Sequence, residues 1–334
     1  MNNFTYSSAT DTTSALKLFS ESPDRNARFL AGGTNLLDLM REGIEQPQSV
    51  VDITRLPLAK VQELPNGDLR VGAMVRNSHL AAHPLIREKY PLVSQAILMG
   101  ASAQLRNMAT TGGNLMQRTR CYYFYDGAAA CNKRVPGSGC DAMEGFNRIH
   151  AILGASPQCI ATHPSDMCVA LAALDACVNI TGPSGERRVA FTDFHRLPGD
   201  NPERDTNLGP GELITSIDLP SSSANLHSTY RKVRDRASYA FALVSVAAAL
   251  KVEGSTICEI RLALGGVSHK PWRASVAENF LRGKTPTADN FSAAAAAELA
   301  PAIPRKHNAF KVELAKRTIT LVLSELAADA GALR

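Results

Sequence analysis

Short apolar groups alternate with polar ones along the first 60 residues, and their period changes from segment to segment. Ser14 to Ser20 has helical spacing, Ala27 to Leu30 is a small apolar strand, Leu36 to Met40 opens a helix after a glycine turn, and Gln48 to Ile53 is the next strand. That order predicts a small βαβ-like unit. Leu69, Val71 and Ala73 then alternate with polar neighbours behind a Pro65-Asn66-Gly67 turn, as a half-buried strand does. Ser78 to Gly100 is helical but interrupted by Pro84 and Pro91. Proline removes an amide donor and clashes with the preceding turn, so two helices are expected there.

From Thr119 to Gln158 no period of 2 or 3.6 survives. A structureless run of about 40 residues inside a compact domain needs something to organise it. Regular signals resume with a helix over Asp166 to Ala176 and strands over Cys177 to Thr181, Arg187 to Phe191 and Glu212 to Leu219, the last closed by Pro220. The polar stretch Ser221 to Asn225 predicts a domain boundary. Beyond it Ser228 to Val233, Ala240 to Val252 and Ile257 to Leu264 suit an antiparallel sheet, and helices are expected over Phe291 to Ala300 and Phe310 to Ala328.

Composition narrows the class. A chain of 334 residues predicts two or three domains at roughly 100 to 200 residues each. With 45% hydrophobic and 20% charged residues and a mean hydropathy of −0.10, it is globular rather than disordered, collagenous or coiled-coil. The longest apolar stretch, Tyr239 to Leu250, falls short of the roughly 20 residues that cross a bilayer, so no membrane span is expected. Met1 to Thr13 is polar and lacks the basic start and apolar run of a secretory signal. A net charge of +5 is spread along the sequence with no basic run, which argues against nucleic acid as a partner.

Three features carry candidate chemistry. Ala31-Gly32-Gly33-Thr34-Asn35 lies between a strand and an apolar helix. Tandem glycines allow close backbone approach to a ligand, and amides at the following helix start bind phosphate oxygens; a capped turn would use the same residues. Thr110-Thr111-Gly112-Gly113-Asn114-Leu115 repeats that composition. Two such loops suit a cofactor with a pyrophosphate spine held from both sides. Neither is the dinucleotide G-x-G-x-x-G pattern, and no phosphate-binding P-loop, metalloprotease or serine-hydrolase motif occurs.

The third feature is a set of cysteines. Six of the seven fall between Cys121 and Cys177, and Cys121, Cys131, Cys140 and Cys159 lie in the aperiodic segment. An odd count without a signal argues against a disulfide framework. Four thiolates converging where nothing else organises the chain is what a [4Fe-4S] cluster needs, although a zinc-stabilised binding module would use the same four residues. Arg106, Arg118, Arg120, Lys133, Arg134 and Arg148 outnumber Asp126, Asp141 and Glu144 nearby, which would offset the cluster's negative charge. Cys168, Cys177 and Cys258 sit among apolar residues as core thiols do.

Together with Ser165-Asp166, Gly211-Glu212-Leu213-Ile214 and Tyr230-Arg231-Lys232-Val233, the two loops resemble, in order and over essentially the whole chain, the FAD-binding subunits of the xanthine dehydrogenase family of molybdenum hydroxylases. The cysteine segment resembles the cluster-bearing insert of that family's bacterial periplasmic aldehyde oxidoreductases. The resemblance implies an α+β fold: a two-part PCMH-type FAD-binding domain over residues 1–220, divided at about residue 60 and carrying the insert at about 118–160. A C-terminal domain of antiparallel sheet plus helices, like that of the CO dehydrogenase flavoprotein, would follow over 226–334. It places FAD contacts on Ala31, Gly32, Gly33, Thr34, Asn35 and Leu36, on Thr110, Thr111, Gly113 and Asn114, and on Asp166, Ile214 and Lys232. It further implies a heterotrimer with a large subunit holding molybdopterin cytosine dinucleotide and a small subunit holding two [2Fe-2S] clusters. This chain would then pass electrons to an external acceptor, with no catalytic residue of its own. Export on the small subunit's signal implies the periplasm, the cytoplasm being the alternative, and a stand-alone flavin oxidoreductase is the alternative activity.

Overall fold

The computed structural model describes residues 2–22 and 26–329; Met1 and residues 23–25 and 330–334, which the expected domains include, lie outside the described residues. The chain begins with strands β1 (Thr5–Ser8), β2 (Ala27–Leu30) and β3 (Ser49–Asp52), all parallel in the order β1-β3-β2, with Thr5 and Ala27 both in register with Ser49. The helix Thr12–Ser20 makes the first crossover, and the Asp11 carboxylate caps it by accepting from the Ser14 amide at 2.8 Å. Strand β1 carries no apolar alternation, since Thr5-Tyr6-Ser7-Ser8 lies largely exposed on the sheet edge.

A second sheet follows, made of β4 (Val61–Glu63), β5 (Leu69–Gly72), β6 (Cys177–Gly182), β7 (Gly185–Ala190) and β8 (Leu213–Leu219), in the order β4-β5-β8-β6-β7. Its partners are antiparallel throughout. The stretch expected to hold two helices holds three: Asn77–Ala82, Pro84–Lys89 and Pro91–Met99. Each proline sits at the first helical position, where its missing amide had no intrahelical partner to lose, so it starts a helix as well as stopping one. The helix Asp166–Ala173 is buried along its whole length, which is why it lacks an amphipathic pattern.

The third sheet contains β9 (His227–Val233), β10 (Val244–Glu253), β11 (Thr256–Gly265) and β12 (Trp272–Arg273), antiparallel in the order β12-β11-β10-β9. Its two faces serve different cores. Val244, Val246, Ala248 and Leu250 pack with the helices Ser275–Leu281, Ala288–Glu298 and Phe310–Asp329, whereas Tyr230, Ala247 and Ala263 join the core around Asp166–Ala173. The expected strand over Ala240 to Val252 starts instead at Val244, because residues 234–243 form an irregular loop beside a cavity. No helix among the described residues is long and apolar enough to cross a membrane.

Candidate functional site

Two cavities of about 500 and 710 Å³ meet along the glycine loops. Thr34, Gly113 and Gln117 line both, so the two read as one elongated cleft. The 710 Å³ end is lined by Ala31, Gly32, Gly33, Thr34, Asn35 and Leu36 from one loop, by Thr110 and Gly113 from the other, and by Ile214. The 500 Å³ end is lined by Asn114, Asp166 and Lys232. The structure therefore brings together twelve of the thirteen residues expected to contact FAD. Thr111 is the exception: its amide and hydroxyl both donate to the Val75 carbonyl, at 2.8 and 3.0 Å, and it lines neither end.

The two loops touch through their backbones. A Cβ on Gly32 would fall on the Met108 carbonyl oxygen and within 3.0 Å of Ala109 Cα, just before the second loop begins. Gly33 follows at φ +73°, a conformation side chains rarely adopt, and turns the chain into Leu36–Arg41. Thr110 caps the next short helix by accepting from the Gly113 amide at 3.2 Å. Asn35 uses one end of its amide to accept from the Arg118 N–H at 2.9 Å, while its buried Nδ2 has no partner. A buried amide nitrogen with nothing to donate to, on the wall of a cleft lined by close-packed glycines, fits a ligand rich in acceptor oxygens.

At the other end, Asp166 accepts from Lys232 Nζ at 2.7 Å and from the Tyr230 hydroxyl at 2.6 Å. The Lys232 and Asp166 side chains are 1% and 8% exposed, so the ion pair is fixed rather than solvated. Burial, and then the charge on Asp166, push the Tyr230 phenol well above its ordinary range, so it stays a donor. Asp166→Asn keeps the shape and removes the countercharge. It is expected to lower the unfolding free energy by about 1 to 3 kcal/mol, read as a lower urea midpoint at unchanged slope. An unmoved midpoint would mean that the pair adds no net stability.

Several cleft residues lie outside the expected FAD contacts: most belong to no motif, and Arg120 is expected from the sequence beside the cysteines instead. Gln117 bridges both ends and donates to Asn114 Oδ1 at 3.0 Å. Asn77 and Arg120 each present a buried polar atom without a partner, Oδ1 and Nε. At the mouth stand the exposed rings of Tyr122, Tyr239 and Phe241, with Arg120 over Phe241 at 5.2 Å and Arg236 over Tyr239 at 5.7 Å. Tyr239, at φ +51°, is strained backbone on the cleft wall.

Cys121, Cys131, Cys140 and Cys159 converge in one small core with Leu39, Phe124, Ala142 and Ile160. Cys131 and Cys140 face each other in an isolated β-bridge, and the short helix Tyr122–Tyr125 follows Cys121 directly. Among the described residues no three of these sulfurs lie within 4.8 Å of one another. Burial pushes the Cys121 thiol up to about 12 and the Cys159 thiol up to about 11, and raises Cys140 as well, so any metal held here displaces protons as it binds. His150 Nε2 lies 3.1 Å from Cys121 Sγ. The basic residues are largely engaged: Arg134 donates to the Tyr123 and Phe124 carbonyls at 2.8 and 2.9 Å, and Lys133 pairs with Asp205.

The chain is similar to known proteins along nearly its whole length. Residues 2–222 match the family described as the FAD binding domain in molybdopterin dehydrogenase, and residues 228–326 match the CO dehydrogenase flavoprotein C-terminal domain. The chain is 53% identical over 306 residues to the aldehyde oxidoreductase FAD-binding subunit PaoB of Escherichia coli strain K12, covering 91% of this chain and 92% of that one. It is 33% identical to the glyceraldehyde dehydrogenase medium chain of Sulfolobus acidocaldarius, covering 84% and 82%. Among solved structures, the carbon monoxide dehydrogenase of Hydrogenophaga pseudoflava lacking the Mo-pyranopterin moiety superposes with a TM-score of 0.76 at 25% identity, over 98% of each chain.

Proposed function

Because the chain belongs to the FAD-binding subunits of the molybdenum hydroxylase family, that of xanthine dehydrogenase, we propose that it is the FAD- and [4Fe-4S]-carrying electron-transfer subunit of an aldehyde oxidoreductase. The observation that carries the reading is the continuous cleft between two backbone-packed glycine loops, in a chain 53% identical to a relative named as the FAD-binding subunit of such an enzyme. In the proposed reaction a large molybdopterin subunit converts aldehyde and water to carboxylic acid, releasing two electrons and two protons, and a small subunit with two [2Fe-2S] clusters relays the electrons here. FAD held in the cleft would supply a two-electron store, filled one electron at a time and drawn on by an external acceptor.

This chain's own residues bind and orient. Amides from Gly32 to Leu36 would hold the pyrophosphate oxygens, with Asn35 Nδ2 as an added donor. Lys232, fixed by Asp166, places a cation at the cleft wall, where it favours added negative charge. The division into an FAD-binding domain over 1–220 and a C-terminal domain over 226–334, and a periplasmic setting reached with a partner's signal, belong to the same proposal.

For the cysteine core, four thiols in one pocket supply the donor set of a cubane cluster. Purified in its complex, the protein is expected to contain one FAD and about four irons and four sulfides per chain. Cys140→Ser should lose the iron and sulfide and retain flavin. Zinc in place of iron, or a wild-type protein without flavin, would overturn the proposal.

A further inference from the structure

We propose that the imidazoles of His163 and His195 and the sulfur of Cys168 form a second metal site, apart from the four-cysteine core, for one divalent cation of the zinc class. One ligand atom from each of the three lies within 4.8 Å of the other two, and among the described residues no other three histidine, cysteine or acidic side chains group so tightly. The three come from separate places: His163 precedes the buried helix Asp166–Ala173, Cys168 is in its first turn, and His195 closes the short helix Phe191–Phe194. Packing of those two helices against each other brings them together.

The ring nitrogens point to a missing partner. His195 is 3% exposed; its Nε2 meets the Leu115 carbonyl at 2.9 Å, and its Nδ1 is buried with no partner. Donation from Nε2–H to that carbonyl leaves the lone pair on Nδ1, the arrangement that metal-ligating histidines commonly have. His163 Nε2 is likewise buried and unpartnered; its Nδ1 accepts a long 3.3 Å contact from the Ser165 amide, so ligation through Nε2 moves the ring proton to Nδ1 and gives up that contact. Plain aromatic packing accounts for part of the geometry, since His195 meets His163, Phe194 and Phe191 edge-on at 4.4, 4.9 and 5.5 Å. It leaves two ring nitrogens without a protein partner, and what sets them apart from the unpartnered nitrogens of His83, His150 and His269 is that they group with each other and with a cysteine sulfur. Burial also keeps both rings neutral, which is the ligating form.

Two imidazoles and a thiolate suit a borderline-soft ion and leave one coordination position for water or a small anion. Binding exchanges the Cys168 proton for the metal and releases it to solvent. The cation has a way in, because His163 lines the 500 Å³ cavity although Cys168 and His195 lie behind it. Such an ion would staple the helix carrying Asp166 to the segment carrying His195.

The test uses the full-length chain after chelation, titrated with cobalt(II) alone and compared with Cys168→Ala and His195→Gln. All three proteins keep the other six cysteines or all seven, so cobalt taken up by the four-cysteine core cancels in the comparison. Both variants are expected to bind one cobalt fewer than the wild type, and Cys168→Ala to lose part of the thiolate-to-cobalt charge-transfer absorbance. Equal stoichiometry and an unchanged band would overturn the site. Should His195→Gln lose its circular dichroism spectrum, Cys168→Ala decides alone, since it removes one buried sulfur and no hydrogen-bonding ring.

Discussion

Gly32→Ala is expected to yield protein with less than about a tenth of the wild-type flavin, read as absorbance near the flavin bands against protein absorbance. The reason is spatial. The new methyl group would fall on the Met108 carbonyl oxygen and press on Ala109 Cα, and neither is the far end of a side chain that can swing away. Relief requires the two glycine loops to part, which displaces the Gly32-to-Leu36 amides proposed to grip the pyrophosphate. Backbone overpacking of this kind typically costs 1 to 3 kcal/mol, and because that strain falls on the cleft itself it is expected to weaken FAD as well as the fold. Gly113→Ala is the comparison: its Cβ would meet Thr110 Oγ1 at 2.9 Å, and a hydroxyl can rotate away, though at the cost of the cap on the Gly113 amide. Flavin content should therefore fall less in Gly113→Ala than in Gly32→Ala. Equal, undiminished flavin in both would show that the loops do not hold the cofactor.

What could be read from the sequence followed residue type, and what could not followed distance in space. Tandem glycines beside hydroxyls stand out in any chain, so both loops were legible; that they touch each other through Gly32 and Met108 was not, since 76 positions separate the pair. Four cysteines in an aperiodic segment announced their own convergence, because nothing else there could organise the chain. Thr111 shared the composition of its loop, yet its two donors turn inward to Val75. The buried helix Asp166–Ala173 had the apolar content to be found but no face to orient it, so the meeting of Cys168 with His195 lay beyond reach. Prolines were read as helix stops, and the third helix before Gly100 appeared because they also start helices. Long basic side chains were the least legible of all, since their reach lets them pair with acids far along the chain.

The Lys133 pair shows what that reach does. Lys133 stands between Cys131 and Cys140 with its side chain 1% exposed, donating to the Pro202 carbonyl at 2.6 Å and pairing with Asp205. Asp205 also accepts from Arg118 Nε at 2.9 Å, and Arg118 reaches Glu45 at 2.8 Å while its amide donates to Asn35. One carboxylate thus joins the cysteine segment to the glycine loop of the cleft. Asp205→Ala strands a buried ammonium, and a broken buried pair costs about 3 to 5 kcal/mol; the 23% exposure of the Asp205 side chain places the expectation at the lower end. The double variant Lys133→Met with Asp205→Leu removes both charges and should recover most of the loss. Acid supplies an independent reading. Burial alone would raise the Asp205 carboxyl, but Lys133 and Arg118 outweigh it and hold the group well below the usual carboxylate range. A carboxyl depressed in the folded state contributes stability above its unfolded value, near 3.9, and loses that contribution as pH falls toward the folded value. The stability gap between wild type and Asp205→Ala should therefore stay constant from about pH 7 to 5 and narrow below about pH 4. A gap that ignores acid, or a double variant no better than the single one, would show that the carboxylate acts through packing rather than charge.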